Sequence, residues 1–237
     1  MAPWVAVPQC SGNCGFSSLS LGQADRGYWS SGRRQARICE LAWFIFPYIM
    51  NKSRLEAFTD GVVAIAITIM VLALKVPSGP HWSEVLEMAP VLCAYLLSFV
   101  YVGIYWVNHH HVLQLARQVN GRILWTNLHL LFWLSLVPLV TAWAGNYPLT
   151  PAPMALYGVV LLMCAVAFRM LVRSLVASEG PDSPLAQALG HSRKKELSIA
   201  LYLVAIALSL WYAPAGAAIY VAVAVLWLIP QRRKDTP

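Results

Sequence analysis

An arginine, a carboxylate and two threonine hydroxyls lie within an apolar stretch that is long enough to cross a membrane. The stretch, residues 53–77, reads SRLEAFTDGVVAIAITIMVLALKVP and carries Arg54, Thr59, Asp60 and Thr68. A spanning helix needs about 20 mainly apolar residues, and polar groups at that depth are costly unless they face protein or water. The pattern therefore predicts a functional helix. The alternative is that Thr59 and Thr68 only bond back to carbonyls of their own helix.

The same helix carries a stripe of side chains along one face. Ile65, Thr68 and Leu72 recur at i, i+3 and i+7, and Gly61 lies a turn earlier. The intervening residues are expected to face elsewhere (Val62, Ala66, Ile69 and Ala73). Repeated around a symmetry axis, such a stripe makes a narrow pore that gates by excluding water. Packing or lipid contact is the alternative for a stripe of this kind.

A histidine-rich segment follows the second apolar stretch. Together with two polar residues of the third stretch, its members are Trp106, Asn108, His109, His110, His111, Asn127 and His129. Adjacent histidines suggest a metal, but neighbours on a helix point about 100° apart. Neither the HExxH spacing nor a neighbouring cysteine or carboxylate accompanies them. We therefore interpret these residues as hydrogen-bond partners of the charged Arg54 and Asp60. We predict neither a bound metal nor a cofactor.

The sequence contains no recognisable catalytic signature. It lacks GxSxG, a phosphate-binding loop and a dinucleotide fingerprint, and Asp60 is the one acid clearly within a span. A single carboxylate within a span suits a structural ion pair or a proton-coupled transporter equally well, but it does not make a hydrolase. We therefore predict that the protein is not an enzyme. Two alternatives stay open: a proton-coupled secondary transporter using Asp60 with His109 and His110, and a metal-dependent membrane enzyme built on the histidines.

The composition identifies a multi-pass membrane protein. Of the 237 residues, 59% are hydrophobic and 11% are charged, whereas a soluble domain carries about 25% charged residues. The formal charge of +7 resides at helix ends and not in a stripe, so no nucleic-acid partner is predicted. The five cysteines form no disulfide framework (Cys10, Cys14, Cys39, Cys93 and Cys164).

The hydropathy pattern predicts an all-α membrane protein with six transmembrane helices. The polar segment 108–121 is expected to continue the second helix into the interface. Ser53 and Glu56 have the spacing of a capping box, which predicts that the first helix begins there. The expected spans are 54–75, 84–107, 122–144, 153–176, 196–212 and 215–229.

The distribution of basic residues predicts that both termini are cytoplasmic. With the N-terminus inside, the outer side keeps only Lys75 among the basic residues of the loops and span ends. The segment 1–49 is rich in Ser, Gly and Arg and lacks periodicity, so it is expected to be poorly ordered. Our hypothesis is that the start is wrongly assigned and that the natural start is Met50. Residues 50–237 are then the six-helix membrane domain.

The run from Arg54 to Thr68 strongly resembles the signature of the transmembrane protein 175 family of potassium channels, Arg-x-x-x-Phe-Ser-Asp at the start of the first helix. Here Phe58 and Asp60 match it, while Thr59 replaces the serine and keeps the hydroxyl. The resemblance continues with Trp106, His109, His110, Asn127 and Pro138.

The resemblance implies a potassium-permeable cation channel without the carbonyl-lined TVGYG filter, in a prokaryotic cell membrane. It implies a homotetramer in the lipid bilayer, with the first helix of each subunit lining the pore. Ile65 would match the hydrophobic constriction, Thr68 a hydroxyl layer and Leu72 a further apolar ring. A motif network would hold this helix against the second and third spans (Arg54, Phe58, Thr59, Asp60, Trp106, His109, His110 and Asn127).

Overall fold

The computed structural model describes residues 51–77, 79–180, 183–189 and 193–229, so the predictions for residues 1–49 lie outside the described residues. Within those ranges the regular structure is helical, which confirms the predicted fold class. The helices are α1 (Lys52–Leu72), α2 (Trp82–Glu87), α3 (Ala89–Leu115), α4 (Gly121–Ser135), α5 (Val137–Asn146), α6 (Pro151–Glu179), α7 (Pro184–Leu189), α8 (Arg193–Trp211) and α9 (Ala213–Leu228).

The predicted spans correspond to four long apolar spans and two shorter apolar helices. α1, α3, the α4–α5 pair and α6 are long and apolar enough to cross a membrane, judged by length and composition. The apolar parts of α8 and α9, Glu196–Trp211 and Ala213–Leu228, are shorter. The chain is therefore a multi-pass membrane protein.

The first helix begins two residues earlier than predicted. Asn51 is the N-cap residue, and its side-chain oxygen accepts hydrogen bonds from the Ser53 N–H at 3.2 Å and from the Ser53 hydroxyl at 3.0 Å. The predicted capping box of Ser53 and Glu56 is therefore wrong. Lys52 and Glu56 are both helical and lie four residues apart, so their side chains meet on one face of α1 and form a 4.0 Å ion pair.

Two prolines break spans that the hydropathy pattern predicted as continuous. Pro90 and Pro138 lie at the second positions of α3 and α5. The preceding helices end just before them, so that Met88 separates α2 from α3 and Leu136 separates α4 from α5. Proline has no N–H and its ring clashes with the carbonyl four residues earlier, so a new helix starts more easily than the old one continues. At its other end α3 extends into the polar segment, as predicted, but stops at Leu115.

The bundle is organised around α6, which packs against α4, α5, α8 and α9. Its centre contains buried hydroxyl groups as well as apolar side chains. The Ser98 hydroxyl of α3 lies 2.9 Å from the Tyr157 hydroxyl of α6 and 2.6 Å from the Thr141 hydroxyl of α5. Thr141 also donates to the Val137 carbonyl at 2.7 Å. Hydrogen bonds of this kind hold helices together where hydrocarbon offers no polar partner.

Gly158 of α6 lies so close to α9 that no side chain fits there. A β-carbon at this position would lie 1.9 Å from the Tyr220 hydroxyl and 2.8 Å from Cγ1 of Ile206. We expect Gly158→Ala to lower the free energy of unfolding by about 1–3 kcal/mol, the usual cost of overpacking. The thermal unfolding midpoint of the detergent-solubilised protein measures the effect.

Gly103 of α3 provides the matched control, since a β-carbon there would meet nothing within 4 Å. Gly103→Ala is expected to leave the midpoint unchanged or to raise it, because alanine favours a helix over glycine by about 1 kcal/mol. Equal melting of the two variants would contradict the close approach of α6 and α9.

Candidate functional site

The first helix has a buried face and an exposed face. α1 packs against α3, α4 and α5, and its buried side chains recur every three or four residues (Leu55, Thr59, Val63, Ala66 and Met70). This spacing is the signature of a single contact stripe along an α-helix. The bundle therefore covers only one side of α1.

The predicted pore stripe lies on the exposed face of α1. The side chains of Ile65 and Leu72 are 59% and 81% exposed, and Gly61 and Thr68 are exposed as well. Exposed apolar side chains in this register need lipid, another protein surface or a pore against them. The Thr68 hydroxyl donates to the Ile65 carbonyl at 2.9 Å, so its proton is satisfied while its oxygen still accepts.

Behind this stripe a buried polar network joins three helices. Asn127 of α4 donates from Nδ2 to the Thr59 hydroxyl of α1 at 3.0 Å, and its Oδ1 lies 2.8 Å from Nε2 of His109 on α3. These residues are 0%, 1% and 3% exposed, respectively. Because the amide oxygen only accepts, Nε2 of His109 carries the proton in this contact. The network fixes the rotation of α1 about its own axis.

A second polar chain runs along the surface beside the first. The Trp106 indole N–H donates to Oδ1 of Asp60 at 2.8 Å. The indole stacks on the His110 ring, with centroids 6.0 Å apart and planes 17° apart. His110 lies 2.8 Å from the Gln114 amide, one helical turn further on. Asp60 is exposed in the single subunit, so its carboxylate is not the buried charge that the sequence suggested.

Two residues of the predicted motif network stay outside both chains. Arg54 and Phe58 are exposed. The Arg54 backbone N–H donates to the Asn51 carbonyl at 2.9 Å, but its side chain forms no hydrogen bond or ion pair within the described part of the chain. Arg54 immediately precedes the buried Leu55, so its side chain lies about 100° round the helix from the buried face. His111 is also exposed, and the described residues contain no group of three or more potential metal ligands.

Sequence reasoning missed the side chains that anchor the start of α1. Lys52 donates to the carbonyls of Gln114 at 3.3 Å and Ala116 at 3.2 Å, at the end of α3. A lysine there satisfies carbonyls that lack helical partners and complements the negative end of the helix dipole. Glu179 of α6 holds the same loop, accepting from the backbone N–H groups of Arg117 and Gln118. A lysine beside an N-cap gave no signal for such a long-range contact.

Residues 54–138 match the family described as the endosomal/lysosomal potassium channel TMEM175. This range contains both polar chains and the exposed stripe of α1. A protein named potassium channel from Chryseobacterium sp. (strain P1-3) is 49% identical over 184 residues, which cover 78% of this chain and 96% of that protein. Another potassium channel, from Streptomyces collinus, is 38% identical and covers 52% of this chain and 64% of its own.

The fold resembles a solved channel over most of the chain. The crystal structure of a lysosomal potassium-selective channel TMEM175 homolog from Chamaesiphon minutus superposes with a TM-score of 0.65 at 29% sequence identity. The match covers 75% of this chain and 96% of that chain. The family match over residues 54–138, the bacterial potassium channels and the solved fold thus agree, and the chain belongs to the TMEM175 family of potassium channels.

Proposed function

We propose that the protein conducts potassium as a homotetramer, with α1 of each subunit lining a central pore. The observation that carries the proposal is the exposed face of α1, on which Ile65, Thr68 and Leu72 lie in one register. The other described helices of the subunit leave this face uncovered. Four such stripes around an axis would enclose a pathway. Membership in a family of potassium channels supports this arrangement over a lipid-facing stripe.

In the proposed pore Ile65 forms the constriction. A ring of apolar side chains repels water, so an ion must lose part of its hydration shell to pass, and selectivity follows from the width of the ring. Thr68 lies about one turn further on and Leu72 about one turn beyond that. Since the Thr68 proton is bonded to the Ile65 carbonyl, each threonine oxygen would face a passing cation as an acceptor.

The polar network of Thr59, Asn127 and His109 would keep the constriction in register. It anchors the buried side of α1 to α3 and α4 through two hydrogen bonds. Without it, rotation of α1 by a fraction of a turn would carry Ile65 out of the ring. This role is positional, and no covalent chemistry is assigned to the site.

The proposed channel lies in the cell membrane with both termini in the cytoplasm. Lys52 at the start of α1 and the end of α3 lie together at one end of the bundle, and the basic residues of the sequence concentrate at that end. The positive-inside rule assigns it to the cytoplasm. Residues 50–237 then form the channel domain, and the membrane lipid and potassium ions are its partners.

Cysteine accessibility tests whether α1 lines the pore. In a background with the native cysteines replaced, Leu72→Cys should react with a water-soluble cationic thiol reagent and lose current. Leu203→Cys on α8 is the control, because Leu203 is 55% exposed but lies on another helix. If Leu72→Cys does not react, or if the reagent blocks the current of both variants equally, the α1 stripe does not line the pore and the proposal is wrong.

Asp60 is expected to support assembly more than selectivity. Its carboxylate holds Trp106 on the outside of the subunit, at the level where neighbouring subunits would meet. Asp60→Ala should reduce the tetramer fraction on native mass spectrometry, while tetramers that do form keep the potassium preference of the wild type. If Asp60→Ala forms intact tetramers but alters the reversal potential, Asp60 acts on ion selectivity in the pore and not on assembly.

A further inference from the structure

An apolar cavity of about 590 Å³ opens between α3, α6 and α9 at the end of the bundle opposite Lys52. Its volume lies within the roughly 300–1,000 Å³ that is usual for small-molecule sites. By the orientation proposed above, this is the outer leaflet. The lining includes Pro90, Leu97, Leu149, Tyr157, Ala217 and Val221.

The cavity presents no polar side-chain group that needs a partner. Its described lining contains no charged residue, and the hydroxyls of its two tyrosines are already bonded. The Tyr157 hydroxyl lies 2.9 Å from the Ser98 hydroxyl, and the Tyr220 hydroxyl donates to the Met154 carbonyl at 3.1 Å. Apolar cavities of this kind do not hold ordered water. An occupant must therefore be apolar itself.

The depth of the cavity matches one leaflet of a membrane. Its wall on α3 extends from Ala89 to Leu97, which is about 12 Å along a helix axis, and one leaflet contributes roughly half of a hydrocarbon core of about 30 Å. Tyr147 is 59% exposed and directly precedes the lining residue Pro148. Exposed aromatic side chains of this kind mark the boundary between headgroups and hydrocarbon.

The wall of the cavity suits a chain of methylenes. Such a chain can follow an apolar wall about 12 Å long without leaving a polar group unpaired. Leu149, at the rim, holds a left-handed backbone with φ of 51° and keeps an exposed apolar side chain there. Such a conformation is unfavourable for leucine and persists only where the surroundings fix it.

We propose that this cavity holds an acyl chain of a phospholipid from the outer leaflet. The acyl chain lies between α3 and α9 with its methyl end towards Leu97, and the headgroup of the lipid lies at the level of Tyr147. The proposal is independent of potassium conduction, because none of the cavity lining belongs to α1.

Photo-crosslinking tests the site directly. The full-length protein is reconstituted with phosphatidylglycerol that carries a diazirine in the middle of one acyl chain, irradiated, and mapped by peptide mass spectrometry. Adducts are expected to concentrate on Ala89–Leu97 and on Ala217–Val221. The exposed apolar surface of α8 around Leu203 and Val204 measures labelling by bulk lipid.

A filling variant supplies the second measurement. Ala217→Trp places an indole in the cavity and should lower the adducts on Ala89–Leu97 by roughly tenfold, within the range that a steric mismatch causes in a fitted apolar pocket. Ala218→Trp is the matched control, since the neighbouring Ala218 is exposed and does not line the cavity. Ala94→Phe fills the cavity from α3 and replaces Ala217→Trp if the latter does not fold.

Uniform labelling of all lipid-exposed helices would overturn the proposal. So would wild-type labelling in folded Ala217→Trp or Ala94→Phe. Cys93 lines the cavity and is exposed, so thiol crosslinks between subunits through Cys93, without lipid adducts, would instead assign the surface to a second copy of the chain.

Discussion

Ile65→Asn is expected to let sodium and caesium compete with potassium. Ile65 lies at the centre of the exposed stripe of α1, and an amide in its place would hydrate the proposed constriction and weaken the demand that an ion shed water. The permeability ratio of potassium to sodium should fall by roughly tenfold, which corresponds to a change of about 1.4 kcal/mol between the two barriers. Reversal potentials under bi-ionic conditions measure this ratio.

Val71→Asn provides the control on the same helix. Val71 is 45% exposed, but lies about 120° round the helix from Ile65. It should leave the reversal potential unchanged. Equal shifts in both variants would mean that any polar group on α1 disturbs the pore, and no shift with Ile65→Asn would remove Ile65 from the constriction.

Asn127→Leu should destabilise the subunit more than any other single change in the network. It removes both hydrogen bonds and leaves His109 and the Thr59 hydroxyl buried without their partner. An unsatisfied buried group costs about 1–3 kcal/mol, and a hydrogen bond between membrane helices averages about 0.6 kcal/mol. We expect a combined loss of roughly 2 kcal/mol, seen as a lower thermal midpoint in detergent.

One partner of Asn127 and one unrelated asparagine provide the controls for this prediction. Thr59→Ser keeps the hydroxyl, so this variant should melt close to wild type. Asn146→Leu should also melt close to wild type, because Asn146 is exposed and its side chain donates to the Ala142 carbonyl of its own helix. Thr59→Val combined with Asn127→Leu should cost less than the sum of the two single changes, as for residues in one network. Strict additivity would show that the contact carries no coupling energy.

The sequence predicted the first helix and the shared face of Ile65, Thr68 and Leu72 because these features lie within one element. An i, i+3, i+7 stripe and a carboxylate in an apolar run can be recognised without knowing what they touch. The start of the helix was harder to predict, since Asn51 and Ser53 are both good N-cap residues. The anchoring of Lys52 on the end of α3 is consistent with the earlier start.

Contacts between distant elements could not be predicted in the same way. Ser98, Thr141 and Tyr157 lie on three helices, and each alone looks like an ordinary hydroxyl in an apolar run. The resemblance to the family placed Thr59 and Asn127 in one network without pairing them, and it also implied that Arg54 and Phe58 share that network. In the described part of the subunit these two side chains are exposed, and the proposed tetramer would bring a neighbouring subunit against them.

The most direct test of the channel proposal is a planar-bilayer recording of the purified protein under a potassium gradient, followed by replacement of potassium with sodium on one side. We predict discrete unitary currents that reverse near the potassium equilibrium potential and shift on the replacement. Absence of unitary currents, with cation flux only when a pH gradient is imposed, would contradict the channel and indicate a proton-coupled transporter.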